Sequence, residues 1–126
     1  MPAANEGDSA KQLFADLSLE RGVLTARLIG PNIGEREGQV IAGMIQEKLK
    51  GTEPVAWVVF DFSQVSFINS AGLGSCVVVH NESKARGATV VLYAMQGNIR
   101  DIFKMTKLDK VFKVADDSKR LKKLLS

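Results

Sequence analysis

The sequence predicts a single α/β domain: a four- or five-stranded mixed β-sheet with about four helices packed on it. Three observations carry this expectation. Two segments of apolar alternation separated by Arg21-Gly22 open the chain, two short continuous apolar runs follow, and between and after these the apolar spacing changes to three- and four-residue steps. A hairpin followed by alternating strand and helix units builds a mixed sheet with helices against it.

From Leu13 to Glu20, Leu13, Ala15, Leu17 and Leu19 alternate with other residues, the period of a half-buried strand. Arg21-Gly22 supplies a tight turn, and Val23 to Ile29 repeats the alternation, so the two segments pair as an antiparallel hairpin. Gly30-Pro31-Asn32-Ile33-Gly34 stops the strand with breaker chemistry. Val40, Ile41, Met44, Ile45 and Leu49 recur at helical spacing and place a helix from about Glu35 to Lys50. Glu35 and Glu37 near its start and Lys48 and Lys50 near its end suit the helix dipole, and Gly51 to Pro54 closes it. Ala56 to Phe60 is a short apolar run ending at Asp61, of the kind buried on both faces. After a linking stretch, Ala71 to Arg86 is long enough for a helix of about four turns. Thr89 to Ala94 reads as a second buried strand, Ile99, Ile102 and Phe103 as a short helix, Val111 to Val114 as a brief edge strand, and Ser118 to Leu125 as a terminal helix. Residues 1–10 hold neither a basic start nor an apolar run and read as a flexible lead-in, with the domain spanning residues 11–126.

Composition narrows the function. The 126 residues suit one domain, and 45% apolar with 25% charged residues is a globular balance. Cys76 alone cannot form an internal disulfide, and with only His80 beside it no zinc set is available, so neither a metal nor a cofactor is expected. The longest strongly apolar run, Ala71 to Val79, falls well short of the roughly 20 residues of a membrane span. No export signal and a lone thiol together place the expected compartment in the cytoplasm. The formal charge of +3 is local: Lys119, Arg120, Lys122 and Lys123 supply four of the 17 basic residues, leaving 13 basic against 14 acidic over residues 1–118. The sequence therefore predicts no direct nucleic-acid and no membrane partner.

The informative stretch is Asp61-Phe62-Ser63-Gln64-Val65-Ser66-Phe67-Ile68-Asn69-Ser70-Ala71-Gly72-Leu73-Gly74. It runs from the end of a central strand to the start of a helix, the edge at which open α/β sheets meet ligands and partners. Asn69 and Ser70 can both cap helix N–H groups. Gly72 and Gly74 fall in one helical turn, and each costs up to about 1 kcal/mol relative to alanine, so close approach of another backbone or of a second molecule is the expected reason. A hydroxyl at a helix start also suits phosphorylation, because the added negative charge meets the positive end of the dipole. A partner packed over the same spot would have to bury that charge unpaired, at a cost of several kcal/mol. Ser70 is thus either a helix cap or a switch.

Asp61-Phe62-Ser63, Val65, Phe67-Ile68 and Ser70-Ala71-Gly72-Leu73-Gly74 resemble the signature of the STAS domain of anti-sigma factor antagonists. The stretch from Asn98 to Phe112 resembles that family's closing helix and leucine-aspartate turn, and the resemblance spans about Leu13 to Leu125. It implies partner switching: the unphosphorylated protein binds an anti-sigma factor that is also a serine kinase, phosphorylation breaks the complex, and a phosphatase restores it. By resemblance Ser70 is the phosphoacceptor, Gly72, Leu73 and Gly74 form the helix start beside it, Asp61 is the acid ending the central strand, and Asn32 lies where the family has an acid lining the partner surface. The sequence departs from the family where Asn69 replaces the usual aspartate and Ala71 a second hydroxyl residue, which leaves Ser70 the sole acceptor of the motif. The alternative reading is a STAS scaffold or transporter-associated subunit that acts by contact without phosphorylation, and a homodimer is compatible with either.

The remaining residues receive bland readings. His80 reads as a satisfied or partly exposed histidine nearly three turns from Ser70, too far to serve as its base. Cys76 reads as a small buried apolar residue, and Trp57 and Tyr93 as core. Val77, Val78 and Val79 must face three directions on a helix, so Val78 and Val79 are the expected apolar contact beside Ser70. Gly72-Leu73-Gly74-Ser75 lacks the pattern of a nucleotide-binding loop.

Overall fold

The alternation at the front of the chain forms β1 (Ala15–Glu20) and β2 (Val23–Leu28), antiparallel, with Glu20 opposite Val23. Arg21 and Gly22 both take positive φ, 51° and 81°, the two-residue turn whose twist matches a hairpin. The structure is a computed structural model describing residues 13–126; the expected lead-in at residues 1–10 lies outside the described residues. After the hairpin come β3 (Asn32–Ile33), α1 (Glu35–Leu49), β4 (Trp57–Asp61), β5 (Phe67–Ile68), α2 (Ser70–Ala85), β6 (Thr89–Tyr93), α3 (Gly97–Met105), a 3-10 turn (Leu108–Lys110), β7 (Lys113–Ala115) and α4 (Ser118–Leu125).

The main sheet has the order β1-β2-β4-β6-β7, with every pair after the hairpin parallel. Each parallel step proceeds in the same direction, so right-handed crossovers carry α1, α2 and α3 over one face. That face holds the main core, with Leu24, Ala26, Leu28, Val58, Phe60, Val90 and Leu92 all buried beneath the helices. Val59, Val91 and Ala115 point to the other face, where Leu121, Leu124 and Leu125 of α4 cover them together with half-buried Trp57 and Tyr93. The four-cation stripe of α4 is thereby left in solvent, as its amphipathic spacing predicts.

Two elements escaped the periodicity reading. The breaker stretch and the linking stretch each contribute a two-residue strand, β3 and β5, which pair in parallel as Asn32 with Phe67 and Ile33 with Ile68. Two residues are too few to show a period. The brief edge strand begins two residues later than its apolar spacing suggests, because the 3-10 turn draws the N–H groups of Val111 and Phe112 to the Leu108 carbonyl, at 2.9 and 3.3 Å.

Ser83, on the buried side of α2, is wholly inaccessible and its hydroxyl has no hydrogen-bond partner among the described residues. An unsatisfied buried hydroxyl costs about 1 kcal/mol or more. Ser83→Ala is therefore expected to raise the thermal midpoint by a few degrees, measured by calorimetry.

Candidate functional site

The loop from β4 to α2 is built from local hydrogen bonds. Asp61 Oδ1 accepts the Ser63 N–H at 2.9 Å, turning the chain out of the sheet. Phe62 and Val65 drop into the core, and the N–H groups of Ser66 and Phe67 both donate to the Pro31 carbonyl, at 2.8 and 2.9 Å. The Asn98 side chain donates to the Ser66 carbonyl, which ties the loop to the start of α3. Asn69 N–H donates to Ile33 O at 3.2 Å, so β3, β5 and the start of α2 form one unit.

At the helix start the capping question resolves. Asn69 Oδ1 accepts the Gly72 N–H at 2.9 Å, and Asn69 O accepts the Leu73 N–H at 2.9 Å. Asn69 is the cap, and Ser70 is the first residue of the helix, exposed, with its hydroxyl unbonded among the described residues. The neighbouring helix start is capped from within: Glu37 Oε1 accepts the Gly34 N–H at 2.9 Å. A Cβ placed on Gly34 would lie 3.1 Å from that oxygen and 3.4 Å from Asn69 Nδ2, so the starts of α1 and α2 stand side by side.

The two glycines of the motif have different reasons. A Cβ on Gly72 would collide with the Ile33 carbonyl oxygen and lie 2.7 Å from Ile68 Cγ1. Close approach therefore demands glycine there. A Cβ on Gly38 of α1 would lie 2.5 Å from Ser75 Oγ and 3.5 Å from Gly72 Cα, so the two helices also cross on small residues. Gly74 has nothing within 4 Å of such a Cβ and is exposed, so no packing inside the chain requires it.

The residues expected at the partner surface divide accordingly. Asn32, Asn69, Ser70, Gly74 and Val78 are exposed, and Asn32 lies beside Phe67 in the β3–β5 register. Gly72 and Leu73 are buried and support the helix start from below. Val79, expected as an apolar contact, is 1% exposed and belongs to the core, because it falls on the same side of α2 as Leu73 and Cys76. Asp61 alternates with Trp57 and Val59, so its side chain leaves the sheet on the face opposite α2 and shapes the turn instead of meeting Ser70. The residue the sequence reading missed is Phe67, 52% exposed and three positions before Ser70. No period announced it: only once Phe67-Ile68 is known as a strand with Ile68 in the core does Phe67 fall on the outer face.

His80 and Cys76 lie elsewhere on α2. Burial pushes the Cys76 thiol up to about 12, which keeps it protonated and inert. His80 packs edge-on against Phe112, ring centroids 5.1 Å apart, with its Nδ1 buried and unbonded. Burial, and secondarily the Lys84 ammonium one turn on, lower its pKa below the usual value. The unfolded chain then binds a proton more readily than the folded one, so stability is full above about pH 6.5 and falls as pH drops from there toward the folded value. His80→Phe is expected to flatten this part of the profile, read as denaturant midpoints at pH 7.5 and pH 5.

The fold and this loop define a class: a mixed five-stranded sheet with three helices on one face and an exposed hydroxyl on the first residue of the helix after the central strand. The sequence profile of the STAS domain matches residues 16–121, and the chain belongs to that family. Among solved structures, a Thermotoga maritima protein assigned as an anti-sigma factor antagonist superposes with a TM-score of 0.71 at 17% identity, covering 86% of this chain and 92% of that one. The Bacillus cell-fate determinant SpoIIAA in its phosphorylated form gives 0.67 at 19% identity, covering 87% and 98%. A sulfate transporter family protein from Wolinella succinogenes gives 0.67 at 14% identity, covering 82% and 84%. At these identities the likeness is one of fold.

Proposed function

We propose that the chain is an anti-sigma factor antagonist of the partner-switching kind: unphosphorylated, it binds an anti-sigma factor that is also a serine kinase, and phosphorylation of Ser70 releases it. The observation that carries this reading is the state of Ser70. Its hydroxyl is exposed at the first position of α2 and is spared from capping by Asn69. The N–H groups of Ser70 and Ala71 have no acceptor within the helix, so a phosphate there meets donors and the positive dipole end. Asn69, being neutral, adds no repulsion to that charge.

The partner surface in this reading comprises Asn32, Phe67, Asn69, Ser70, Gly74 and Val78, a nearly uncharged patch across β3, β5 and α2. A phosphatase acting on phosphoserine completes the cycle, and the protein works in the cytoplasm. Catalysis by the chain itself is not part of the proposal: His80 stands ten residues after Ser70, about 15 Å along the helix axis, out of reach of its hydroxyl. The test is intact-mass measurement after incubation with ATP and the kinase-like anti-sigma factor encoded nearest to it. The expected gain is one phosphoryl group, absent from Ser70→Ala.

A second reading is favoured by the neutral Asn69 in place of the family's aspartate and by the fold's likeness to the sulfate transporter family protein. In it the chain is a contact scaffold, and the same incubation leaves the mass unchanged.

A further inference from the structure

The C-terminal quarter of the chain carries a second surface, away from Ser70. Residues 100–126 hold nine basic and four acidic residues, against eight basic and ten acidic over residues 1–99. Apart from the α4 stripe, the cations gather where α3 ends. Lys104, Lys107, Lys110 and Lys113 fall at every third position, all exposed, with Asp109 the one acid among them. No ion pair engages any of the four lysines among the described residues; Arg100 takes Asp116 at 2.8 Å instead.

The same knuckle exposes apolar side chains. Ile99 and Phe103 of α3 turn inward, and Phe112 follows them against Phe103 at 6.0 Å between ring centroids. That packing leaves Met105 82% exposed and Val111 45% exposed, on either side of the 3-10 turn. The turn between them is held in shape. Thr106 Oγ1 bonds to the Ile102 carbonyl at 2.9 Å, Lys107 takes φ 61°, and Val111 N–H reaches Leu108 O. Met105 and Val111 are therefore presented by fixed backbone, each directly following an exposed lysine, Lys104 and Lys110.

We propose that this knuckle, residues 104–113, docks on an anionic lipid surface, with Met105 and Val111 entering the headgroup boundary and Lys104, Lys107, Lys110 and Lys113 facing the lipid charge. The pairing of chemistries selects the occupant. A nucleic acid would satisfy the lysines and leave Met105 in water, whereas an anionic bilayer takes both the cations and the apolar tips. Among the described residues no helix is long and apolar enough to cross a membrane, so the contact is peripheral. It is independent of the Ser70 switch.

The test is sedimentation of the full chain with vesicles of phosphatidylcholine alone or with phosphatidylserine at one lipid in three, at low and at high salt. Binding is expected only with phosphatidylserine and is weakened by salt. Lys104→Gln with Lys107→Gln is expected to lower it at least about twentyfold, and Met105→Gln about tenfold, with unchanged thermal midpoints. Absence of binding, equal binding to both vesicles, or binding insensitive to Met105→Gln overturns the proposal. So does tighter binding to a duplex oligonucleotide than to vesicles, which assigns the knuckle to nucleic acid.

Discussion

Ser70→Asp is expected to weaken binding to the anti-sigma kinase at least about a hundredfold while leaving the thermal midpoint within a few degrees of the parent. The two halves have separate causes. Ser70 is exposed and spared from capping, so a carboxylate there stays in water in the free protein and faces the positive end of α2. In the proposed complex the same carboxylate would be covered by the partner without a countercharge, and an uncompensated buried charge costs about 3–5 kcal/mol. A hundredfold is about 2.7 kcal/mol, just below that range, which makes it a lower bound. Ser70→Ala is expected to bind as the parent does, because it keeps the surface neutral. Calorimetric titration of the three proteins reads the binding half, and thermal melts read the other.

The second large effect is on the fold. Gly72→Ala is expected to destabilise the domain by about 2–3 kcal/mol, lowering the thermal midpoint by about 10 °C. The added methyl meets the Ile33 carbonyl oxygen, which is backbone and is itself fixed by the Asn69 N–H and the β3–β5 pair. Alanine's better helix propensity recovers only about 1 kcal/mol of this. Gly74→Ala, two residues on and in open space, is expected to stabilise by up to about 1 kcal/mol. If both substitutions shift stability in the same direction, the close contact between α2 and β3 is wrong. Gly74→Ala carries a further reading, since with no intramolecular reason for glycine, loss of partner affinity in a more stable protein places the partner against that turn.

The contrast between these glycines shows what was legible in the sequence and what was not. The spacing of Val40 to Leu49 and the apolar runs ending at Phe60 and Ala94 were enough to place these elements along the chain, because burial of one helical stripe leaves a period and burial of both strand faces leaves a continuous apolar run. The β3–β5 pair left none. It is specified instead by backbone groups, with Pro31 and Ile33 carbonyls collecting N–H groups from Ser66, Phe67 and Asn69. Its consequence was visible only as a glycine at position 72 that called for close approach of a backbone or a second molecule, without saying which. Which valine of Val77-Val78-Val79 faces out depended on the rotation of α2, and that is fixed by the Gly38–Ser75–Gly72 contact with α1. The rotation buries Val79 and leaves Val78 45% exposed. Asp61 was grouped with Ser70 by the family resemblance, but strand alternation sends its side chain to the opposite face.

The net charge offers a similar lesson. The stripe on α4 was correctly separated from the rest by counting, yet the lysines at 104, 107, 110 and 113 are interleaved with apolar residues and look unremarkable in sequence. Only the turn that brings Phe112 inward makes Met105 and Val111 stand out among them.

The most direct measurement follows one preparation of the protein through a full cycle: affinity for the anti-sigma kinase before phosphorylation, after it, and after phosphatase treatment. Loss of binding that tracks a phosphoryl group on Ser70, and recovery when it is removed, is the predicted result. Phosphorylated protein that binds as tightly as unmodified protein contradicts the switch.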